Sequence, residues 1–278
     1  MKRMYKYFQI LSLDVVVGAV ASGGMAAKML QVSMPLIWWV ALPVSVWVIY
    51  TLDHLLDASR LKNQAHTERH LFHYRHFRVI GSVWAILFLS CLTWIPFYVP
   101  AQMLYLGLGM GVLVVFHLGL VQWVGGKTSW LLHKELGVAV IYAVGVWGGP
   151  LVMAGYPVSL MEIYLFIQFF LLALINLIIF SLFDIETDTR DNQTSFVRAI
   201  GEKKAKGLIG FLSLIVVGLG LWGGLGFSPK EWAVEAIYGF MLGILLGLIF
   251  QRKWFSINER YRIWGDGVFY LPFLVWAI

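Results

Sequence analysis

Residues Leu36 to Arg60 read LIWWVALPVSVWVIYTLDHLLDASR. From Leu36 to Leu52 the run carries no charge, and then two carboxylates, Asp53 and Asp57, follow four positions apart. About 20 mostly apolar residues cross the hydrocarbon of a bilayer as a helix, and ionisable groups inside it are costly. The stretch therefore reads as a membrane span that becomes polar as it leaves the lipid. Composition supports this for the whole chain: 278 residues, 60% hydrophobic, 13% charged, mean hydropathy +0.77. A water-soluble domain of this size needs more charge to cover itself.

Walking outward with the same ruler gives nine apolar segments. They are Gln9 to Leu30, Pro35 to Asp53, Val79 to Val99, Ala101 to Trp123, Glu135 to Ala154, Ser159 to Phe183, Gly207 to Phe227, Trp232 to Phe250 and Gly265 to Ile278. The first carries Asp14 and Lys28, and the last is short. Turn signals at Ser33-Met-Pro35, Val99-Pro100, Tyr156-Pro157 and Ser228-Pro229 separate them. The expectation is an all-α integral membrane protein, a single polytopic domain over residues 1–278. About nine helices would bundle around a lipid-accessible cavity, with loops near 58–78 and 184–206 carrying the polar site. The lone cysteine, Cys91, forms no intramolecular disulfide.

Orientation follows from the positive-inside rule. Counting alternate sides from the N-terminus, one side collects Lys2, Arg3, Lys6, Arg60, Lys62, Arg69, Arg75, Arg78, Lys127, Lys134, Arg190, Arg198, Lys203, Lys204, Lys206, Arg252, Lys253, Arg260 and Arg262. The other side holds Lys230 alone. The N-terminus is therefore expected in the cytoplasm of a multi-pass plasma-membrane protein, read as bacterial. MKRMYKYFQILSLDVVV is taken as a first span and not a cleaved leader. Net charge of +6 is then a matter of membrane sidedness and calls for no nucleic-acid partner.

The sixth span ends as the second does. Phe180 to Arg190 reads FSLFDIETDTR, again an apolar helix followed by two acids, Asp184 and Asp188, at i and i+4. Residues at this spacing point the same way on a helix. Acids at a helix C-terminus are electrostatically misplaced, so mere capping explains them poorly. Two such pairs on one membrane face supply oxygen ligands for Mg²⁺, which keeps sites free for water and substrate phosphate. Nearby arginines and lysines would hold the phosphate as donors. A phosphate at the rim over an apolar interior fits an amphiphile with a diphosphate head.

The segment DIETDTRDNQTSFVRAIGEKKA, Asp184 to Ala205, resembles the second aspartate-rich motif of the UbiA superfamily of intramembrane prenyltransferases. Asp53 and Asp57 match the last two aspartates of that family's first motif, NDxxDxxxD, and Lys134-Glu-Leu-Gly resembles its fifth-helix start. The likeness covers essentially the whole chain. It departs at Ile49 and Tyr50, where the motif begins with Asn and Asp. It departs again at Asn192-Gln-Thr-Ser195, where the family has GKRT.

The resemblance implies Mg²⁺-dependent transfer of a polyprenyl group from an isoprenoid diphosphate to an acceptor, within membrane lipid. Asp53, Asp57, Asp184 and Asp188 would bind metal and act catalytically. Tyr142 would face the allylic cation, a role aromatic faces can fill. Arg69, Lys134, Arg190, Arg198, Asn176 and Tyr50 are candidate substrate contacts. The plainer reading of Arg69 is a positive-inside charge, and that of Asn176 is an interhelical hydrogen bond. His66, His70, His73 and His76 read as one stripe, first of a solvated amphipathic helix, with a cap over the diphosphate pocket and metal ligation by pairs such as His66 and His70 as the alternatives. The altered first motif leaves room for a UbiA-like terpene cyclase or a non-aromatic acceptor. A cation-coupled transporter ranks last, because transporters place ionisable sites near the midplane.

Overall fold

The computed structural model describes residues 2–64, 66–123, 134–191, 195–223, 226 and 229–277. Among the described residues the chain is helical throughout, without strands. In chain order the helices are α1 (Lys2–Ile10), α2 (Leu13–Met29), α3 (Leu36–Leu61), α4 (Glu68–Arg75), α5 (Phe77–Tyr98), α6 (Ala101–Trp123) and α7 (Lys134–Met153). There follow α8 (Leu160–Phe183), α9 (Ile185–Arg190), α10 (Phe196–Ile200), α11 (Glu202–Gly223), α12 (Pro229–Phe250), α13 (Arg252–Ser256) and α14 (Arg260–Gly267). A 3₁₀ segment over Val268–Ala277 ends the described chain.

Seven of these helices are long and apolar enough to cross a membrane, and eight if the bent pair α1–α2 counts as one span. The count of nine is thus not reached, and both differences have local causes. The first segment breaks at Ser12, whose φ is +55°, so that α1 and α2 meet at 73°. The last segment is divided between the end of α14 and the 3₁₀ stretch that continues it, and the run so formed carries Arg260, Arg262 and Asp266.

Lipid-facing and protein-facing helices separate cleanly. Val79, Ile86, Leu89, Trp94 and Phe97 of α5 and Tyr105, Val112, Val115 and Phe116 of α6 are exposed apolar side chains. Such faces are stable only against hydrocarbon. At the other extreme, α8 is buried along most of its length, from Leu165 to Leu182, among α7, α11, α12 and α14. Its start is fixed by a capping box: Ser159 Oγ accepts from Glu162 N, and Glu162 Oε2 accepts from Ser159 N.

Lipid tails are as apolar as leucine, so close packing and not exclusion of water must hold the helices together. Helix α2 is built for it, with Gly18, Ala19, Ala21, Ser22, Gly23, Gly24, Ala26 and Ala27 buried. It lies mainly against the 3₁₀ segment, α7 and α3. A Cβ on Gly18 would come within 2.8 Å of Phe269 Cβ, and one on Gly23 within 2.9 Å of the Trp38 ring.

Candidate functional site

The first acid pair stays on unbroken helix. α3 continues two turns past the expected exit at Asp53 and stops at Lys62, where φ turns positive. Asp53 and Asp57 therefore share one face, and the N-terminus of α7 meets that face. Lys134 Nζ is 3.3 Å from Asp53 Oδ2 and 3.7 Å from Asp57 Oδ2. Arg60 and His70 approach Asp57 at 3.5 and 3.7 Å. Asp57 itself is buried.

The second pair sits where α8 turns into α9. Asp184 closes α8, and Asp188 N donates to Asp184 O at 2.8 Å, so the pair keeps its helical spacing across the junction. Asp184 is held from α14: Tyr261 Oη donates to Oδ1, and Arg262 Nη2 donates to Oδ2 at 2.6 Å. Burial, and then the negative charge of Asp184, push the Asp188 carboxyl up to about 7. Lys134 opposes this shift, which places the lysine within electrostatic reach of both acid pairs. Arg198 Nη1 donates to the Asp188 carbonyl at 3.1 Å. Glu135, beside Lys134, is buried and accepts from Phe196 N at 2.8 Å, tying α7 to α10.

The other expected residues fall in three places. Tyr50, Tyr142 and Asn176 line one cavity below the acids, together with Asp266 and apolar neighbours such as Leu177 and Phe269. The Tyr142 ring stacks on Phe169 at 5.8 Å and meets Phe269 edge-on at 5.4 Å. Arg69 turns inward, donating to the Gln9 carbonyl at 3.2 Å, and lies within electrostatic reach of Asp14, Asp266 and Arg262. Arg190 points outward, paired with Glu186 at 3.8 Å on an exposed turn, and is not drawn to the acids. Asn192 to Thr194, where the loop motif departs, and Lys127 lie outside the described residues.

The histidines do not form a solvated stripe. His66 Nδ1 meets Asp191, His70 faces Asp57, and His73 is buried with Nδ1 2.9 Å from the Arg69 carbonyl. His66 and His76 are exposed, the latter against the Phe72 carbonyl. Helix α4 docks against α3, and burial pushes the His70 and His73 imidazoles below the ordinary range.

Tyr261, Arg262 and Asp266 are the residues that sequence reading passed over. The signal was present: Glu259, Arg262 and Asp266 recur at helical spacing just before the last apolar run. It was absorbed into the count of basic residues on one side.

Among the described residues no three acidic, histidine or cysteine side chains converge closely enough to hold one ion. The donor set consists of two pairs. It suits a hard divalent cation in kind: each carboxylate offers about four lone-pair positions, and Asp184 and Asp188 sit close enough to raise the Asp188 carboxyl, a repulsion that a cation would relieve.

Two solved structures share this architecture. One is described as digeranylgeranylglyceryl phosphate synthase in membranes. It aligns over 100% of this chain and 99% of its own, with TM-score 0.60 and 14% identity. The other is the apo structure of a UbiA homolog from Aeropyrum pernix K1, aligned over 94% and 95% with the same TM-score and identity. No family model and no curated protein matches the sequence. The chain has the fold of UbiA homologues over its whole length. It is a multi-pass membrane protein of that architecture, with one acid pair near the end of α3 held by Lys134 and a second where α8 turns into α9.

Proposed function

We propose that this protein is an intramembrane prenyltransferase that moves a polyprenyl group from an isoprenoid diphosphate to an acceptor. The observation that carries the reading is Lys134 on Asp53 and Asp57 and within electrostatic reach of Asp188, with Tyr50, Tyr142 and Asn176 lining one cavity. A phosphate head needs cations and metal at the rim, and a prenyl tail needs the apolar interior below it.

Asp53 with Asp57, and Asp184 with Asp188, would each hold a Mg²⁺ ion. Bound there, the metal would stabilise the charge that grows on the departing diphosphate. Lys134 and Arg198 would donate to the phosphate oxygens, and Arg262 with Tyr261 would fix the Asp184 carboxylate in orientation. Tyr142, held by Phe169 and Phe269, would present an aromatic face to the allylic carbon as positive charge develops. The enclosing apolar helices would keep water from that carbon. The basic-rich rim would face the cytoplasm.

The test is diphosphate release from labelled farnesyl or geranylgeranyl diphosphate by purified protein, with Mg²⁺ or with EDTA. Release that needs Mg²⁺ and fails in Asp53→Ala and Asp184→Ala is the expected result. No release with either donor and a lipid-extract acceptor would sink the enzymatic reading. A hydrocarbon product formed without acceptor would replace transfer by cyclisation.

A further inference from the structure

A second pair of carboxylates lies deeper than the rim, and nothing in the prenyl-transfer reading uses it. Asp14 opens α2 and Asp266 lies in α14, and the charge of Asp14 reaches Asp266. The cations within reach are engaged elsewhere. Arg262 pairs with Asp184 and Glu259, and Arg69 donates to the Gln9 carbonyl. Asp14 is 1% exposed; its Oδ1 accepts from Val15 N at 2.9 Å, while its Oδ2 is buried without a partner. Asn176 is 4% exposed, interacts with Asp266 through its side chain, and leaves its Oδ1 buried without a partner.

Asp266 and Asn176 both line the cavity beneath the rim, beside Tyr50 and Tyr142. Its free volume is about 30 Å³, more than the roughly 10–15 Å³ that one water needs. The orphaned atoms are acceptors, so what satisfies them must bring a donor. The walls between the polar groups are valine, alanine, leucine and phenylalanine. Such a site fits one hydroxyl carried on an apolar body.

We propose that this cavity binds a hydroxyl-bearing prenyl acceptor, an alcohol or a phenol, and that Asp266 is the catalytic residue that takes its proton, with Asp14 and Asn176 positioning it. The proposal rests on the prenyl-transfer reading. As the acceptor O–H bond breaks, its proton passes to an Asp266 oxygen. The electron pair forms the new bond from acceptor oxygen to the first prenyl carbon. The bond from that carbon to the diphosphate oxygen breaks, and both of its electrons leave with the diphosphate. The carboxylate returns the proton to solvent through the polar groups that lead to the rim.

The probes are 1-O-octylglycerol and 4-butylphenol, each beside its fully O-methylated ether, with labelled geranylgeranyl diphosphate as donor. Transfer to at least one hydroxyl probe and to neither ether is expected. Asp266→Asn should lower kcat for that transfer about a hundredfold, whereas the KM for geranylgeranyl diphosphate stays within about threefold of wild type. Asp266→Glu should restore part of the transfer.

A readout independent of turnover guards against a misfolded variant. The lipid-soluble reagent dicyclohexylcarbodiimide should label Asp266 of the native chain, and the accepted hydroxyl probe should protect it where its ether does not. Equal transfer to the ethers, undiminished transfer by Asp266→Asn, or no labelling at Asp266 would overturn the proposal while leaving diphosphate release intact. Absence of release by the native chain removes the prenyl-transfer reading and this proposal with it.

Discussion

Asp184 is held from one element, since each of its oxygens has its own donor on α14. Arg262→Gln leaves a mostly buried carboxylate with one partner, at a cost of about 1–3 kcal/mol. Thermal unfolding in detergent should show it, and Arg262→Lys should recover little. A point ammonium cannot serve Asp184 and Glu259 with separate nitrogens as the guanidinium does. The rim cations should divide in the same manner. Lys134→Gln removes the group that bridges Asp53 and Asp57, so the donor KM is expected to rise about tenfold or more. Arg190→Gln should change it less than twofold, because that side chain pairs with Glu186 away from the acids. Equal effects at the two positions would show that the outward-facing arginine turns in when substrate binds.

At the scale of elements, α4 carries a pH dependence that the sequence did not suggest. His73 is buried against α3, and burial holds its imidazole below the ordinary histidine value. Arg69 on its own helix and His76 just past its end also disfavour the charged form, and the His54 ring of α3 lies 5.1 Å away. The unfolded chain takes up a proton as pH falls through about 6.5, whereas the folded chain resists, so stability falls as pH drops below that value. Unfolding in detergent between pH 7.5 and 5 should show this slope, and His73→Gln should flatten it. An unchanged slope would assign it to other groups. What could be read in advance at this scale was whatever a short window holds. The ends of α5, α6, α7 and α8 fall within two residues of expectation, because hydropathy and proline turns are local. The two DxxxD pairs were legible for the same reason. The hold of Arg262 on Asp184 spans 78 residues, and no local pattern encodes it. The bend at Ser12 was equally hidden, since a serine at positive φ follows from packing and not from propensity.

Across the whole molecule, sidedness decides whether the rim meets a cytoplasmic diphosphate, and the chain offers a direct way to measure it. The acid pairs, Lys134 and α4 gather at one end of the bundle. The connection between α7 and α8, with Val158 exposed, lies a full span away along α8 from Asp184. The bias of 19 basic residues against one predicts that the acid end lies inside. With the single native cysteine removed as Cys91→Ser, Val158→Cys and Gln64→Cys report opposite faces, because both positions are exposed. In intact cells a membrane-impermeant maleimide should modify Val158→Cys and leave Gln64→Cys untouched until the membrane is opened. The reverse pattern would place the rim outside, where no cytoplasmic pool of isoprenoid diphosphate reaches it, and the donor would then have to enter sideways from the lipid. Labelling on both sides before lysis would mean dual insertion, which so strong a charge asymmetry opposes. The same two variants also locate the deeper carboxylates. Asp266 lies four residues after Arg262, whose partner is Asp184, so an inward-facing rim fixes the path by which a proton leaving Asp266 reaches the cytoplasm.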